Sequence, residues 1–373
     1  MEPTVQDADN TPVVAALSGG VDSAVCALLL RRHGYDVRGL FMKNWEEDDR
    51  DGYCAAARDL ADAERICERL DITLHTVNFS TEYWDQVFRN FLAELKAGRT
   101  PNPDVLCNRN IKFRTFFEHA LHLGGKYIAT GHYANIIRDK NNRGGNGFRL
   151  CKGLDPNKDQ SYFLYTLEQA PLAKTLFPVG ALSKSQVRRM ARDARLPVHD
   201  KKDSTGICFI GERPFKAFLA HYIKSCPGDI ESAEGKVIGH HDGLPFYTLG
   251  QRQGLGIGGQ RGTGPEPWYV GAKNMKRNVL VVVQGRNHPM LYRQTLVAEQ
   301  LHWIAGTTPS FPLHCRAKVR YRQPEQACEV TDAGDGCCHV RFDEPQWAVT
   351  PGQSVVFYRD DVCLGGGVIR VAG

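Results

Sequence analysis

The sequence predicts an α/β protein: a doubly wound parallel sheet, then a small central domain, then a C-terminal β-barrel. Three observations predict it. Short apolar runs alternate with amphipathic stretches as far as Gly211. A glycine turn, Ser18-Gly19-Gly20-Val21-Asp22-Ser23, joins the first apolar run to the second. From Leu296 onward only short alternating runs remain, separated by turn residues such as Asp335-Gly336 and Pro351-Gly352.

Val13 to Leu17 is short and partly β-branched, which suits a buried strand. Ala24 to Leu30 suits a helix that stops at His33-Gly34, with Gly34 as a left-handed cap. Val37 to Met42 is the second strand, and Ala55 to Leu70 is a helix with Leu60, Ala63, Ile66, Cys67 and Leu70 on one face. Leu74 to Val77 is the third strand. A helix over Tyr83 to Ala97 is capped by Gly98, another runs from Ile111 to Leu123, and Tyr127 to Thr130 is the fourth strand. Such a parallel sheet is covered on both faces and binds ligands beyond its C-terminal strand ends. The glycine turn, Met42 and Gly131-His132 all fall there. Asn141 to Gly147 reads as an exposed polar loop, and Pro227-Gly228-Asp229-Ile230 as a turn. Domains are expected at 1–222, 223–293 and 294–373.

With 373 residues, 42% apolar and 24% charged, the chain is ordinary for a soluble protein. No apolar run is long enough for a membrane span. Met1 to Asn10 is polar and acidic, unlike a secretory or transit segment, so a cytoplasmic home is expected. The net charge of +5 decides little, but its clustering matters. Lys184, Arg188, Arg189, Arg192 and Arg195 recur at helical spacing, and Arg316, Lys318, Arg320 and Arg322 alternate around Tyr321. These fit either solvated faces or a polyanion such as RNA. The twelve cysteines show no C-x-x-C and no closed zinc spacing. Cys26, Cys67, Cys151 and Cys315 read as core residues, and Cys337-Cys338 as part of a strand or its turn.

The glycine turn is a phosphate cradle. Glycines let backbone N–H groups approach an anion, the helix start adds partial positive charge, and Ser18 and Ser23 add hydroxyls. No G-x-x-x-x-G-K-[ST] is present. The pattern resembles the S-G-G-x-D-S loop of the PP-loop ATP pyrophosphatases, which implies adenylate transfer to a substrate oxygen with release of pyrophosphate.

Two cysteines lie in basic, turn-flanked segments. Cys107 ends Thr100-Pro101-Asn102-Pro103-Asp104-Val105-Leu106-Cys107, where two prolines indicate a shaped loop before the helix near Ile111. A cysteine at a helix N-terminus near Arg109 and Lys112 favours the thiolate, and Asp104 offers an orienting or acid/base carboxylate. Cys208 follows Lys201-Lys202 and the turn-like Thr205-Gly206. A chain that adenylates an oxygen and owns two reactive thiols can replace that oxygen by sulfur. One thiol delivers a persulfide and the other resolves the intermediate as a disulfide.

At this point longer motifs agree. Phe41-Met42-Lys43-Asn44-Trp45, the Thr100 to Asn108 segment, Gly131-His132-Tyr133, Lys158-Asp159-Gln160-Ser161-Tyr162 and the Ser204 to Gly211 segment resemble the bacterial tRNA-uridine 2-sulfurtransferases, the tRNA 2-thiouridylases. So do Thr248-Leu249-Gly250-Gln251-Arg252, Arg320-Tyr321-Arg322-Gln323 and Thr350-Pro351-Gly352-Gln353. The resemblance covers Val13 to about Val371. It implies an adenine-nucleotide α-hydrolase-like fold and formation of 2-thiouridine at the tRNA wobble position, from ATP and a persulfide. By that resemblance Ala16, Leu17, Ser18, Gly19, Gly20, Val21, Asp22 and Ser23 hold ATP phosphates, and Met42 and Gly131 meet the adenosine. Asn102, Pro103 and Asp104 meet the target base, Cys107 is the nucleophile and Cys208 the persulfide carrier. His132, Lys158, Asp159, Gln160, Arg320, Tyr321 and Gln353 touch tRNA. The family often has Gly-Met where this chain has Ala16-Leu17, a change confined to the strand end.

Mg2+ is expected with the ATP, near Asp22, with no dedicated protein metal site. Expected partners are tRNA and a persulfide-donating sulfur-relay protein or cysteine desulfurase. No membrane partner is expected, and the chain is expected to be monomeric. Two other readings compete: an amide-forming ligase with the same loop, and an RNA-binding module with a decayed nucleotide site. An iron–sulfur cluster on Cys107, Cys208 and Asp104 is the alternative to persulfide transfer.

Overall fold

The computed structural model describes residues 9–46, 55–139, 147–203, 215–258 and 264–373. The chain opens with β1 (Pro12–Ala16), α1 (Val21–Arg32), β2 (Asp36–Lys43), α2 (Ala55–Leu70) and β3 (Leu74–Asn78). After two further helical stretches come β4 (Tyr127–Ala129), a hairpin of β5 (Ala134–Asp139) and β6 (Gly147–Lys152), and the short β7 (Thr175–Leu176). Strands β3-β2-β1-β4-β7 form one parallel sheet in that order.

Alternation along the strands divides the core. Val13, Ala15, Val37 and Phe41 face α1 and α2, while Val14, Leu40, Met42 and Ile128 face the helical stretches of residues 80–96 and 103–122. α1 ends where Gly34 takes φ +79°, and the 80–96 stretch ends where Gly98 takes φ +80°.

The helix expected from Ile111 begins earlier, at Pro103. Asn102 caps it, its side-chain oxygen accepting from the Asp104 amide at 3.2 Å. Proline belongs at the first helical position because the N–H it lacks would have no helical partner there. The stretch widens to π-helical turns over Cys107–Thr115 before continuing as Phe116–His122.

The central domain is a sheet of β8 (Gly228–Ser232), β9 (Val237–His241), β10 (Trp268–Asn274) and β11 (Val279–Gln284), ordered β10-β11-β8-β9. The turn expected at Pro227 to Ile230 is instead the start of β8. Gly228 serves close strand packing, since a Cβ there would lie 2.1 Å from the Asn278 carbonyl oxygen.

The last domain comprises β12 (Tyr292–Trp303), β13 (Leu313–Lys318), β14 (Gln326–Gly334), β15 (Cys337–Trp347), β16 (Ser354–Arg359) and β17 (Val362–Ala372). Their order, β12-β15-β14-β13-β16-β17, closes through β12–β17 pairing into a barrel. Asp335 and Gly336, at φ 51° and 70°, make the tight turn between β14 and β15. β17 pairs outward too, with β6 at Val362–Cys151 and Cys363–Leu150. The hairpin of the first domain thus extends the barrel wall.

Buried hydroxyls reinforce that junction. Tyr162 donates to the Ser354 carbonyl at 2.9 Å, and Ser161 meets the Tyr358 hydroxyl at 3.2 Å. Tyr162→Phe strands the Ser354 oxygen in a dry interior and should cost about 1–3 kcal/mol. A urea midpoint equal to that of the unsubstituted chain would show that this bond does not hold the domains together.

Candidate active site

The loop between β1 and α1 is built around Ser23. Its hydroxyl donates to the Gly20 carbonyl at 2.9 Å and accepts from the Ser18 amide at 3.3 Å. Gly19 takes φ +71°, and a Cβ there would lie 2.4 Å from the Asp59 carbonyl oxygen, so only glycine lets the loop nest against α2. No side chain caps α1. Its first N–H groups stay open to an anion. Gly131 closes the other side: a Cβ would lie 2.8 Å from the Ser23 nitrogen, so glycine brings the turn after β4 against the start of α1.

Cations converge here from sequence-distant places. Lys184 grips both oxygens of Asp22 at 2.7 and 2.8 Å and reaches Asp203 at 2.8 Å. The Tyr133 hydroxyl donates to Asp22 at 2.7 Å. Lys158 and Arg188 each contact Asp203 at 2.6 Å. Lys201 donates to the Gly19 carbonyl at 3.0 Å and pairs with Asp59 and Asp62. Burial works to raise the Asp203 carboxyl, but hydrogen bonds from Lys158 and Lys184 outweigh it and hold the group at about 2. Burial, then the neighbouring Asp22 charge, pushes the Tyr133 hydroxyl well up.

Sequence reasoning did not assign Lys184, Lys201, Tyr133 or Asp203 to this site. A signal existed for Lys184. It occupies the first position of the helix Lys184–Asp193, after a Ser183–Gln186 capping box, where the helix dipole disfavours a cation. A lysine placed against that preference has a partner elsewhere.

Cys107 departs from expectation. It lies in the second turn of its helical stretch, not at the N-terminus, and its exposure is 0%. Val105, Ile111, Trp45 and Met42 belong to the same buried layer. Lys112, expected beside the thiol, stands 3.5 Å from His132. Cys208 and residues 204–211 lie outside the described residues.

The expected phosphate loop, the Met42 strand end and the Gly131 turn thus share one edge of one sheet, and Cys107 belongs to the same buried layer as Met42. Profiles of three families match the chain: "tRNA methyl transferase HUP domain" at residues 11–212, "tRNA methyl transferase PRC-barrel domain" at 216–284 and "Aminomethyltransferase beta-barrel domain" at 293–369. Curated relatives described as tRNA-specific 2-thiouridylase MnmA match along nearly the whole length. The Hydrogenovibrio crunogenus protein is 57% identical over 99% of this chain and 96% of its own. That of Methylococcus capsulatus is 60% identical over 96% and 95%, and that of Colwellia psychrerythraea 58% over 97% and 96%. The chain belongs to the tRNA-specific 2-thiouridylase family. Its members are enzymes, and so is this chain.

Several residues expected to touch RNA are turned inward. Asp159 is buried, accepting from the Gly153 and Ser161 amides at 3.0 and 3.1 Å. Gln160 accepts from the Tyr133 amide at 3.0 Å and so steadies the residue that holds Asp22. Arg320 donates to the Leu249 and Ala348 carbonyls at 2.7 and 3.0 Å and to the Thr350 hydroxyl at 2.8 Å. Gln353 donates to the Thr100 carbonyl at 2.8 Å. Tyr321 packs on Phe163 with ring centres 4.4 Å apart. His132 is buried between Phe113 and Phe177, 2.7 Å from the Thr130 hydroxyl. The basic strand is neither a solvated face nor an open RNA face throughout: Lys318 reaches inward to Asp159 and Glu325. On the helix Arg189 and Arg192 do face solvent, as does Arg195 just past its end.

Burial, then the nearby Lys112 charge, lowers the His132 imidazole well below 6.5. The folded chain keeps it neutral, while the unfolded chain takes up a proton below about 6.5. Stability is therefore complete above that pH and falls as pH drops through it. His132→Gln should flatten this acid limb. Urea midpoints with the same pH slope in both proteins would show that His132 protonates while folded.

Proposed function

We propose that this enzyme makes 2-thiouridine at the wobble position of tRNA, using ATP and a cysteine persulfide and releasing AMP and pyrophosphate. The observation that carries the reading is the open helix start at Ser18 to Ser23, ringed by Lys184, Lys158, Arg188 and Lys201. It is a site shaped for a polyphosphate. The relatives' printed name supplies the tRNA and the product.

Ala16 to Ser23 cradle the phosphates, and the strand end at Met42 and the turn at Gly131 meet the adenosine. Asp22 and Asp203 keep the lysines paired without ligand, and phosphate oxygens compete for the same N–H groups. Mg2+ shares its shell between substrate phosphates and one or two carboxylates. Asp22 fits that role, and no cluster of three ligating side chains exists among the described residues. When bound, the ion would neutralise phosphate charge.

Asn102, Pro103 and Asp104 receive the splayed wobble base. Its O2 attacks the α-phosphorus, and the bond to the bridging oxygen breaks to release pyrophosphate. The terminal sulfur of a Cys208 persulfide then attacks C2, and the C2–O bond breaks to release AMP. The Cys107 thiolate attacks the Cys208 sulfur of the C2–S–S linkage. The S–S electron pair stays on the sulfur attached to C2, and a Cys107–Cys208 disulfide forms. An external thiol reductant resets it, and a sulfur-relay protein or desulfurase recharges Cys208. Since Cys107 is sealed in this structure, base entry must open its cover.

Lys158 and the solvent-facing arginines of Lys184–Asp193 are the better placed RNA contacts, and Tyr321 is only half-buried against Phe163. His132, Asp159, Arg320 and Gln353 act on RNA chiefly through the residues they hold.

Mass spectrometry of wobble nucleosides, after incubating unmodified tRNA with ATP and a persulfide donor, tests the reading; no 2-thiouridine would end it. Cys208→Ser should abolish thiolation while leaving ATP binding intact, and full activity would remove the carrier role. Lys184→Ala should slow tRNA-dependent pyrophosphate release by about 100-fold or more. A rate within twofold would reduce Lys184 to a structural ion pair.

A further inference from the structure

Asn44 is 1% exposed, and neither its side-chain oxygen nor its side-chain nitrogen has a hydrogen-bond partner. Among the described residues it is the one buried carboxamide left wholly unsatisfied. Arg320 and Gln323 each leave an atom unpaired but use another in a bond. A buried polar group with no partner demands an explanation, because native interiors satisfy nearly all of theirs.

Its place in the fold supplies one. Asn44 follows β2 at the C-terminal edge of the parallel sheet, where ligands bind. Leu40 and Met42 face the layer that contains Cys107, while Phe41 faces the layer of Leu17 and Val21 behind the phosphate loop. In sequence Asn44 lies between Met42 and Trp45, both of which belong to the buried layer that contains Cys107. A second orphan lies in the same region: Asn108, next to Cys107, donates to the Phe163 carbonyl at 3.2 Å but leaves its own side-chain oxygen unpaired. Trp45, whose indole N–H is also unpaired, packs on Phe88 and on Phe218 of the helix Phe215–Ala220.

We propose that Asn44 is a specificity-determining residue for the acceptor base, its carboxamide hydrogen-bonding the uracil edge when the wobble nucleotide enters. The inference rests on the function proposed above. Uracil must offer O2 to the α-phosphorus, which leaves N3–H and O4 to be read. A carboxamide matches that pair, its oxygen accepting from N3–H and its nitrogen donating to O4. Reading a flipped base along this edge is a recurrent solution in enzymes that modify nucleobases. Drawing the N3 proton toward Oδ1 also leaves more electron density on O2, the attacking atom. Adenine is the competing ligand for such a group. Trp45, the residue next to Asn44, packs with Phe88 in the layer that contains Cys107, and this favours uracil.

The test is Asn44→Leu, of similar size and without polar atoms, with Asn44→Ala as a second variant. Three quantities are measured on the full chain: the thermal midpoint, equilibrium ATP affinity without tRNA, and wobble thiolation. The inference expects a midpoint unchanged or raised by about 2 °C, unaltered ATP affinity and thiolation reduced about 100-fold. A lowered midpoint in both variants would make Asn44 structural and overturn it. A parallel loss of ATP affinity would assign the carboxamide to adenine and overturn it. Full thiolation would remove any role. If the unsubstituted enzyme itself makes no 2-thiouridine, the proposed function fails first, and that result is distinct from the others.

Discussion

Thr100 ties the three domains together. Its amide donates to the Pro351 carbonyl at 2.9 Å, its carbonyl accepts from Gln353 at 2.8 Å, and its hydroxyl meets that of Thr248 at 3.1 Å. Two of these partners belong to the barrel and one to the central domain. Gly352, at φ +92°, permits the approach, since a Cβ there would lie 2.9 Å from the Thr100 nitrogen. The same strand of chain continues through the Asn102 cap into the helix bearing Cys107. Each bond is worth only about 1 kcal/mol net. Together they fix where that helix starts, and therefore where the thiol sits. Arg320 locks the frame from behind by joining Leu249 of the central domain to Ala348 and Thr350 of the barrel.

The charges near the phosphate loop obey a related constraint. Four cations around one loop mouth would repel one another strongly if left alone. Asp22, Asp203, Asp59 and Asp62 hold them at hydrogen-bonding distance, so the cationic ring is assembled before any anion arrives. Preassembled donors need no reorganisation at the moment of reaction. Gln160 and Tyr133 extend the ordering outward by fixing Asp22. The segment Lys158-Asp159-Gln160 thus steadies the Asp22 and Asp203 carboxylates through its contacts, even with Asp159 buried.

Much of the fold was legible because it follows local patterns. Alternating apolar runs located β1 to β4, Gly34 and Gly98 marked helix ends, and Asp335-Gly336 marked a hairpin. The glycine turn between β1 and α1 was legible because its glycines and serines are contiguous. What sequence could not show was assembled from afar. The β6–β17 pairing joins distant parts of the chain, and so do Lys184–Asp22 and Gln353–Thr100. Composition misled in one consistent way. Basic residues at Lys318 and Arg320 looked like a surface because charge ordinarily stays outside. Here they are buried because each finds carboxylates, carbonyls or an aromatic face: Asp159 and Glu325 for Lys318, and Trp347 and three oxygens for Arg320. Pro103 misled for the opposite reason, a helix breaker standing at the one helical position that welcomes it.

The buried polar groups give a contrast that argues for itself. Where the fold needs a polar residue inside, it satisfies it: Asn135 donates to two carbonyls, His241 bridges Asn278 and Gly243, and Thr350 serves both Ala348 and Arg320. The sequence is therefore able to pair its interior. Leaving Asn44 and, next to a sealed cysteine, the Asn108 oxygen unpaired costs stability with no packing gain, because an apolar side chain of similar shape would fill the same space. Among the described residues Thr166, Gln323 and Trp347 also leave a buried polar atom unpaired, but Asn44 alone leaves a whole carboxamide so, and it holds hydrogen-bonding capacity in reserve. Under the proposed function, a nucleobase entering the layer around Cys107 would supply both the edge for Asn44 and the carbon that the sulfur must reach.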